Sequence, residues 1–324
     1  MQRAPNLASA VLACGATEAA QRGGRLFAAL AGLYVGLSLL KFGNPAILDH
    51  LIPPPAGALG ILFQSWPLSW SYFLLAGLVV PGLLAACWRL PRPRWLVFLP
   101  LGWLAWQWIA AAHTIDARLT RVTLMHFHGV LGGFYLGLFA LAPVRRIGVF
   151  WSGAAVGFAL MLWTGFEQRF GGLEATRQFV YAQPGWESLP SEQLQRLGSD
   201  RIFATLLYPN TLAGVIILLL PPVVVAIWQC ATWLTPASRG AVAGLFGVGG
   251  LACLYWSGSK AGWLIALVMC IVVLLRAPID KRKRAAIILV LVVLGLAGFF
   301  ARYSGYFQRG ATSVSARADY WQAA

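Results

Sequence analysis

Long apolar stretches separated by short polar segments set the pattern of this chain. Nine of them, at about 25–41, 70–88, 95–113, 122–142, 147–166, 202–229, 241–256, 262–275 and 285–301, have the length and apolarity of membrane spans. None shows the strict alternation of a barrel strand, and backbone groups in lipid must be satisfied within their own segment, so the spans are helical. The predicted fold is all-α: a polytopic helical membrane protein with about nine transmembrane helices. The sixth stretch carries two breaks. Tyr208-Pro209-Asn210 interrupts the sixth near its start and predicts a fresh helix beginning at Asn210 or Thr211, and Pro221-Pro222 in mid-span predicts a kink.

Composition agrees with that pattern, at 59% apolar and 11% charged residues. A net charge of +15 would suggest nucleic acid in a soluble protein. Here the basic residues fall in short loops and tails between spans, so the charge reads as topology and no nucleic-acid partner is expected. Assigning loops alternately puts Arg22 and Arg25, Arg89 to Arg94, Arg145 and Arg146, Arg239, and Arg276 to Arg284 on one side, the predicted cytoplasm. The opposite side collects Asp49, Asp116, Glu167, Glu174, Glu187, Glu192 and Asp200. Residues 1–24 become a cytoplasmic N-terminal segment, and 25–301 a transmembrane domain whose first span is a retained signal anchor. The main outward loop is 167–201, in which 189–197 suits either a surface amphipathic helix or a packed loop. Residues 302–324 open a large outward segment that turns helical near Arg317 and then stops, which reads as an interrupted protein. Five scattered cysteines suggest neither a disulfide framework nor a metal site.

Three cations stand at span ends on the outward, less basic face. Arg201 precedes Tyr208, Asn210 and Thr211; Lys260 is tethered by the short turn Ser257-Gly258-Ser259; Arg317 has Trp321 one helical turn later. Any one of them alone reads as a side chain snorkelling to the headgroups. Together, with hydroxyl and amide donors and a helix N-terminus beside them, they suit a membrane-bound phosphate or pyrophosphate. The histidines His50, His113, His126 and His128 read as packing or interface residues. His126 and His128 are two apart, so on a helix they point to different faces.

In their order, Arg201 with Tyr208-Pro209-Asn210-Thr211-Leu212-Ala213, then Ser257-Gly258-Ser259-Lys260-Ala261, then Arg317-Ala318-Asp319-Tyr320-Trp321 resemble the motifs of the O-antigen ligase and O-antigen polymerase superfamily. The resemblance covers residues 145–324, and the earlier spans only in general architecture. It implies a bacterial inner-membrane enzyme that takes a glycan from an undecaprenyl-pyrophosphate carrier. The enzyme passes it to a lipid or glycan acceptor, such as lipid A core, on the periplasmic face, with no metal or other cofactor. It further implies that Arg201, Asn210, Ser259, Lys260 and Arg317 hold the pyrophosphate, supported by Tyr208, Thr211 and Trp321. Two departures stand out. Lys260 occupies a position where the family has Arg, and an ammonium meets phosphate as a point charge without a bidentate fork. The family's acceptor-side His, in a periplasmic loop followed by further spans, has no counterpart here, so the catalytic residue is unknown and a fragment lacking it is expected to be inactive. The competing readings are a transporter or flippase for a lipid-linked or anionic solute, and a non-catalytic membrane subunit. The concentration of cations on one face, with few acids inside the spans, favours the transferase over the transporter.

Overall fold

The computed structural model describes residues 18–46, 49, 52–88, 90, 91, 93–182, 198–230, 234–308 and 322. The element order is α1 (Glu18–Lys41), α2 (Gly57–Phe63), α3 (Leu68–Ala85), α4 (Trp95–Ala111), α5 (Ala117–Leu136) and α6 (Gly148–Glu167). It continues through α7 (Leu173–Tyr181), α8 (Pro209–Gln229), α9 (Pro236–Trp256), α10 (Lys260–Arg276) and α11 (Lys281–Gln308). A single π-helical turn extends α5 over Gly137–Leu141, while α6 ends in a kink over Gln168–Gly172, where Phe170 (φ −104°, ψ 28°) and Gly171 (φ 134°) leave helical geometry. Among the described residues there is no strand.

Among the described residues seven helices are long and apolar enough to cross a membrane, within Gln21–Lys41, Leu68–Ala85, Ala117–Leu141, Gly148–Gln178, Pro209–Gln229, Pro236–Trp256 and Lys281–Gly305. The chain is a multi-pass helical membrane protein. Helices α4 and α10, expected as spans, have 17 residues each, the short limit for crossing a bilayer core. The outer faces of the long helices are apolar, with Leu218 71% and Leu294 67% exposed, which suits lipid contact rather than water.

Helix starts follow ordinary capping chemistry. Asp116 accepts from the Leu119 amide at 3.0 Å to open α5, and Thr235 accepts from the Ser238 amide at 3.2 Å to open α9, with Pro236 in the first turn. Helix α8 runs through Pro221 and Pro222 without an assigned break.

The closest helix pairing joins α1 to α6 through two glycine pairs, Gly32 and Gly36 facing Gly153 and Gly157. A Cβ on Gly36 would stand 2.5 Å from the Gly153 carbonyl oxygen, and one on Gly153 would stand 2.7 Å from the Gly32 carbonyl carbon. Each pair has the small-xxx-small spacing that lets backbones touch in a membrane. Behind this seam lies the main core, built from Phe158, Met161 and Leu162 of α6, Leu212, Ile216 and Val223 of α8, and Cys253 and Leu254 of α9.

Three expectations change. Residues 202–208, assigned to the start of a span, are not helical, and the helix begins at Pro209. The residue before a proline is pushed out of the helical region, and Tyr208 accordingly sits at φ −118°, ψ 127°. Helix α11 continues past 301 to Gln308, so Arg302 belongs to a helix rather than to the start of a loop. Cys87, expected as a thiol, is disulfide-bonded. The surface helix considered at 189–197 lies outside the described residues.

Candidate functional site

The segment from Arg201 to Tyr208 threads between helices at the end of the core. Ile202, Ala204 and Leu206 are buried, at 0%, 5% and 5% exposure, in a run of tight turns in which the Leu206 amide donates to the Phe203 carbonyl at 3.0 Å. Non-helical backbone at this depth needs internal partners for its polar groups. Gln168, buried at the kink that follows α6, provides them. Its Oε1 accepts from the Phe203 and Ala204 amides at 3.0 and 2.8 Å, and its Nε2 donates to the Ala204 carbonyl at 3.0 Å. The Ile202 amide donates to the Trp256 carbonyl at 3.3 Å, and the Thr205 hydroxyl donates to the Leu39 carbonyl at 2.5 Å. Gly43, just past α1, lies against the Thr205 carbonyl so closely that a Cβ would collide with it. Ala204 and Leu207 are held at φ 51° and 61°, a left-handed conformation that costs a non-glycine residue of order 1–3 kcal/mol.

This clamp fixes Arg201. Its Nε donates to the Ser257 carbonyl at 2.7 Å and its Nη2 to the Asn210 Oδ1 at 2.9 Å. Both acceptors are neutral, so neither cancels the guanidinium charge. Burial pulls the Arg201 guanidinium below its ordinary value, with the Tyr303 hydroxyl acting in the opposite sense. The turn beneath is shaped to admit it: Gly258 adopts φ +59°, and a Cβ there would stand 3.2 Å from the Arg201 Cγ and Nε.

Lys260 opens α10, with its Nζ 5.4 Å from the centre of the Tyr303 ring. Arg302 lies 5.4 Å from the Tyr255 ring and 5.9 Å from that of Tyr303. Arg169 stands 6.0 Å from the Trp256 ring, against which Phe166 and Phe170 pack edge-on. Aromatic faces orient cations for about 0.5–1 kcal/mol each at exposed sites without neutralising them. Tyr303 has both Lys260 and Arg302 at its ring and acts electrostatically on Arg201, so the ends of α9 and α11 and the starts of α8 and α10 bring cations and aromatic rings together.

Of the expected site residues, Arg201, Asn210 and Lys260 come together in this cluster. Ser259 is buried and caps α10, accepting from the Gly262 amide at 3.2 Å, which gives its hydroxyl a structural task. Thr211 is exposed on the first turn of α8, and Tyr208 is its half-buried N-cap residue. Arg317 and Trp321 lie outside the described residues, as does His50. His126 meets the Tyr72 hydroxyl at 3.3 Å, while His128 takes the Trp108 indole N–H at 3.3 Å, so the two rings do face different helices. Sequence reasoning missed Gln168, Arg302, Tyr303 and Tyr255. For Arg302 the signal was available, since it is a cation at a span end like Arg201; for Gln168 nothing local marks a polar side chain that satisfies a segment more than 30 residues away.

Searches for a matching family model, a similar curated protein and a similar solved structure found none.

Proposed function

We propose that this protein is a glycan transferase of the O-antigen ligase type that uses the Arg201 cluster to hold the pyrophosphate of an undecaprenyl-linked donor. The observation that carries the reading is Arg201 itself: a half-buried guanidinium fixed by two neutral acceptors, with Lys260 and Arg302 around the nearby Tyr303 ring. As the bond between the anomeric carbon and the pyrophosphate oxygen breaks, negative charge grows on the leaving group. Cations already in place stabilise that charge without reorganisation, and one such donor is worth about 3–4 kcal/mol in other enzymes. The acceptor hydroxyl forms the new bond to the anomeric carbon and gives up its proton to a base that the cluster does not contain.

The topology that goes with this reading is nine spans, including the short α4 and α10, with the N-terminus in the cytoplasm and the Arg201 cluster facing the bacterial periplasm. The Cys87 disulfide is at odds with that sidedness, because it lies at the other end of the bundle, where a cytosol would keep thiols reduced. Labelling of cysteines introduced at the two ends of α3 by a membrane-impermeant reagent decides the orientation.

The functional test is Arg201→Ala in the full-length protein in cells, with transfer of glycan to its acceptor as the readout. Loss of transfer at normal protein level is expected; unchanged transfer would sink the pyrophosphate reading.

A further inference from the structure

Between α1 and α3 the chain makes an apolar excursion that none of the spanning helices accounts for. From Leu51 to Phe63, thirteen residues in a row carry no polar side chain. A run of that length is too short to cross a bilayer and suits either a buried helix or a segment dipping into one leaflet. It is not a buried helix. In α2 only Gly60 is buried, while Leu59, Ile61, Leu62 and Phe63 are 74%, 47%, 64% and 76% exposed. Leu59, Leu62 and Phe63 share one face at helical spacing and Ile61 points away from it, so the helix is apolar all round. A protein partner is met by a stripe along one face; apolarity on every side suits a solvent that is itself apolar.

The backbone here is prepared for such a solvent. Hydrocarbon offers amides and carbonyls no partner, so they must be missing or satisfied internally. Pro53, Pro54 and Pro55 bring no amide N–H. At the other end, the carbonyls that a helix C-terminus leaves open are taken up. The Gly60 carbonyl accepts from the Gln64 amide at 2.9 Å, and the Ile61 carbonyl accepts from the Trp66 indole N–H at 2.9 Å. The Lys41 ammonium, buried at the end of α1, donates to the Leu62 carbonyl and, at 3.0 Å, to the Gln64 carbonyl. Its Nζ stands 5.8 Å from the centre of the Trp66 ring, and Phe42 and Trp70 pack around that ring at 5.9 and 5.5 Å, a grouping of aromatic residues typical of a bilayer interface. Helix α3 carries the apolar surface on, with Phe73 74% exposed. We propose that α2 is an interfacial helix whose side chains lie among the acyl chains of the leaflet at the Arg201 face, anchored at its C-terminal end by Lys41. Lys41 is two residues from Leu39, whose carbonyl takes the Thr205 hydroxyl, so the helix enters the leaflet at the same end of α1 that holds the Arg201 clamp.

The test uses the purified full chain in liposomes of phosphatidylethanolamine and phosphatidylglycerol, with the free thiols Cys230, Cys253 and Cys270 replaced by Ala and the Cys87 disulfide kept. A nitroxide is attached at one position at a time, through Leu62→Cys, Phe63→Cys, Leu294→Cys or Lys283→Cys. Its collisions with oxygen, which concentrates in hydrocarbon, are compared with its collisions with a water-soluble nickel chelate. Leu294, on an exposed apolar face of α11, and Lys283, in the exposed basic turn that opens that helix, set the two limits. The oxygen-to-chelate ratio at Leu62 and Phe63 should lie nearer that of Leu294, about tenfold above that of Lys283. Ratios nearer that of Lys283 overturn the proposal in favour of water or a soluble partner. Broadening between labels at Leu62 that vanishes on dilution with unlabelled protein overturns it in favour of a second copy. Lys41→Met keeps a long side chain and removes the donors, and it should lower the Leu62 ratio about threefold relative to that of Leu294 in the same protein. An unchanged ratio overturns the anchoring by Lys41.

Discussion

Arg177 and Arg201 sit at the same end of the molecule, joined through Ser199 and Asp200, yet they do different work. Arg177 donates to Glu174 at 3.0 Å and to Asp200 at 2.9 Å, so two carboxylates face its one charge. It also holds the Ser199 carbonyl at 3.0 Å, which ties α7 to the chain just before the clamp. Arg201 has a carbonyl and an amide oxygen where Arg177 has acids. One arginine is consumed by the fold; the other is positioned by it and keeps its charge. The difference teaches that an arginine's partners, more than its exposure, mark it as a candidate for an external anion.

Conservative replacement should separate the two most widely. Arg201→Lys keeps the charge but cannot reach both acceptors at once, and if the proposed pyrophosphate reading holds, loss of charge-assisted bonds worth about 1.5–3 kcal/mol each should cut glycan transfer by roughly a hundredfold. Arg177→Lys, measured in the same assay, should cost no more than about threefold, in line with the small worth of exposed ion pairs. Equal losses would break the comparison.

Next in size is the clamp. Gln168→Leu leaves two amides and a carbonyl of the 203–204 segment unsatisfied, which should destabilise the protein by about 2–3 kcal/mol, read as a lowered midpoint in a thermal melt. A variant as stable as the wild type would show that the segment is held by its apolar side chains alone.

Arg302→Ala removes a cation oriented only by rings, and a reduction in transfer of about threefold to tenfold is expected, smaller than at Arg201. A larger effect than that of Arg201→Lys would move the centre of the cluster to α11.

The smallest effect is on pH. The Arg177 guanidinium holds the Asp200 carboxyl below its ordinary value of 3.8, aided more weakly by Arg169. A carboxyl whose folded value is depressed contributes stability above pH 3.8 that fades as pH falls through the folded value. Melting curves of wild type and Asp200→Asn should therefore differ slightly near neutrality and converge in acid. A gap that widens in acid would refute the pairing.

Much of this was legible in the order of residues and some was not. Long apolar runs announce helices because lipid leaves the backbone no other choice, and Pro209 announces where α8 begins. What precedes Pro209 was misread: Ile202 to Leu207 looks like the continuation of an apolar run, and nothing in its residues announces the turns and left-handed backbone at Ala204 and Leu207. Asn210 beside Arg201 was visible as a motif, whereas Arg302 and Tyr303 join the same cluster only because α11 outlasts its apolar run. The glycine pairs of α1 and α6 were present as a pattern, but a pattern of small residues does not say which helix will face it.

The seam formed by those glycines has a consequence for how the chain is made. About 120 residues separate Gly36 from Gly157, so a ribosome adding 5–20 residues per second needs roughly 6–24 s to supply the partner of the first helix. Through that interval α1 stays in the bilayer with its glycine groove facing lipid or an insertion factor, while three later spans, α3, α4 and α5, enter beside it. The groove that will seat α6 has to be kept clear of them, which makes the timing of synthesis a constraint on the sequence of every helix between.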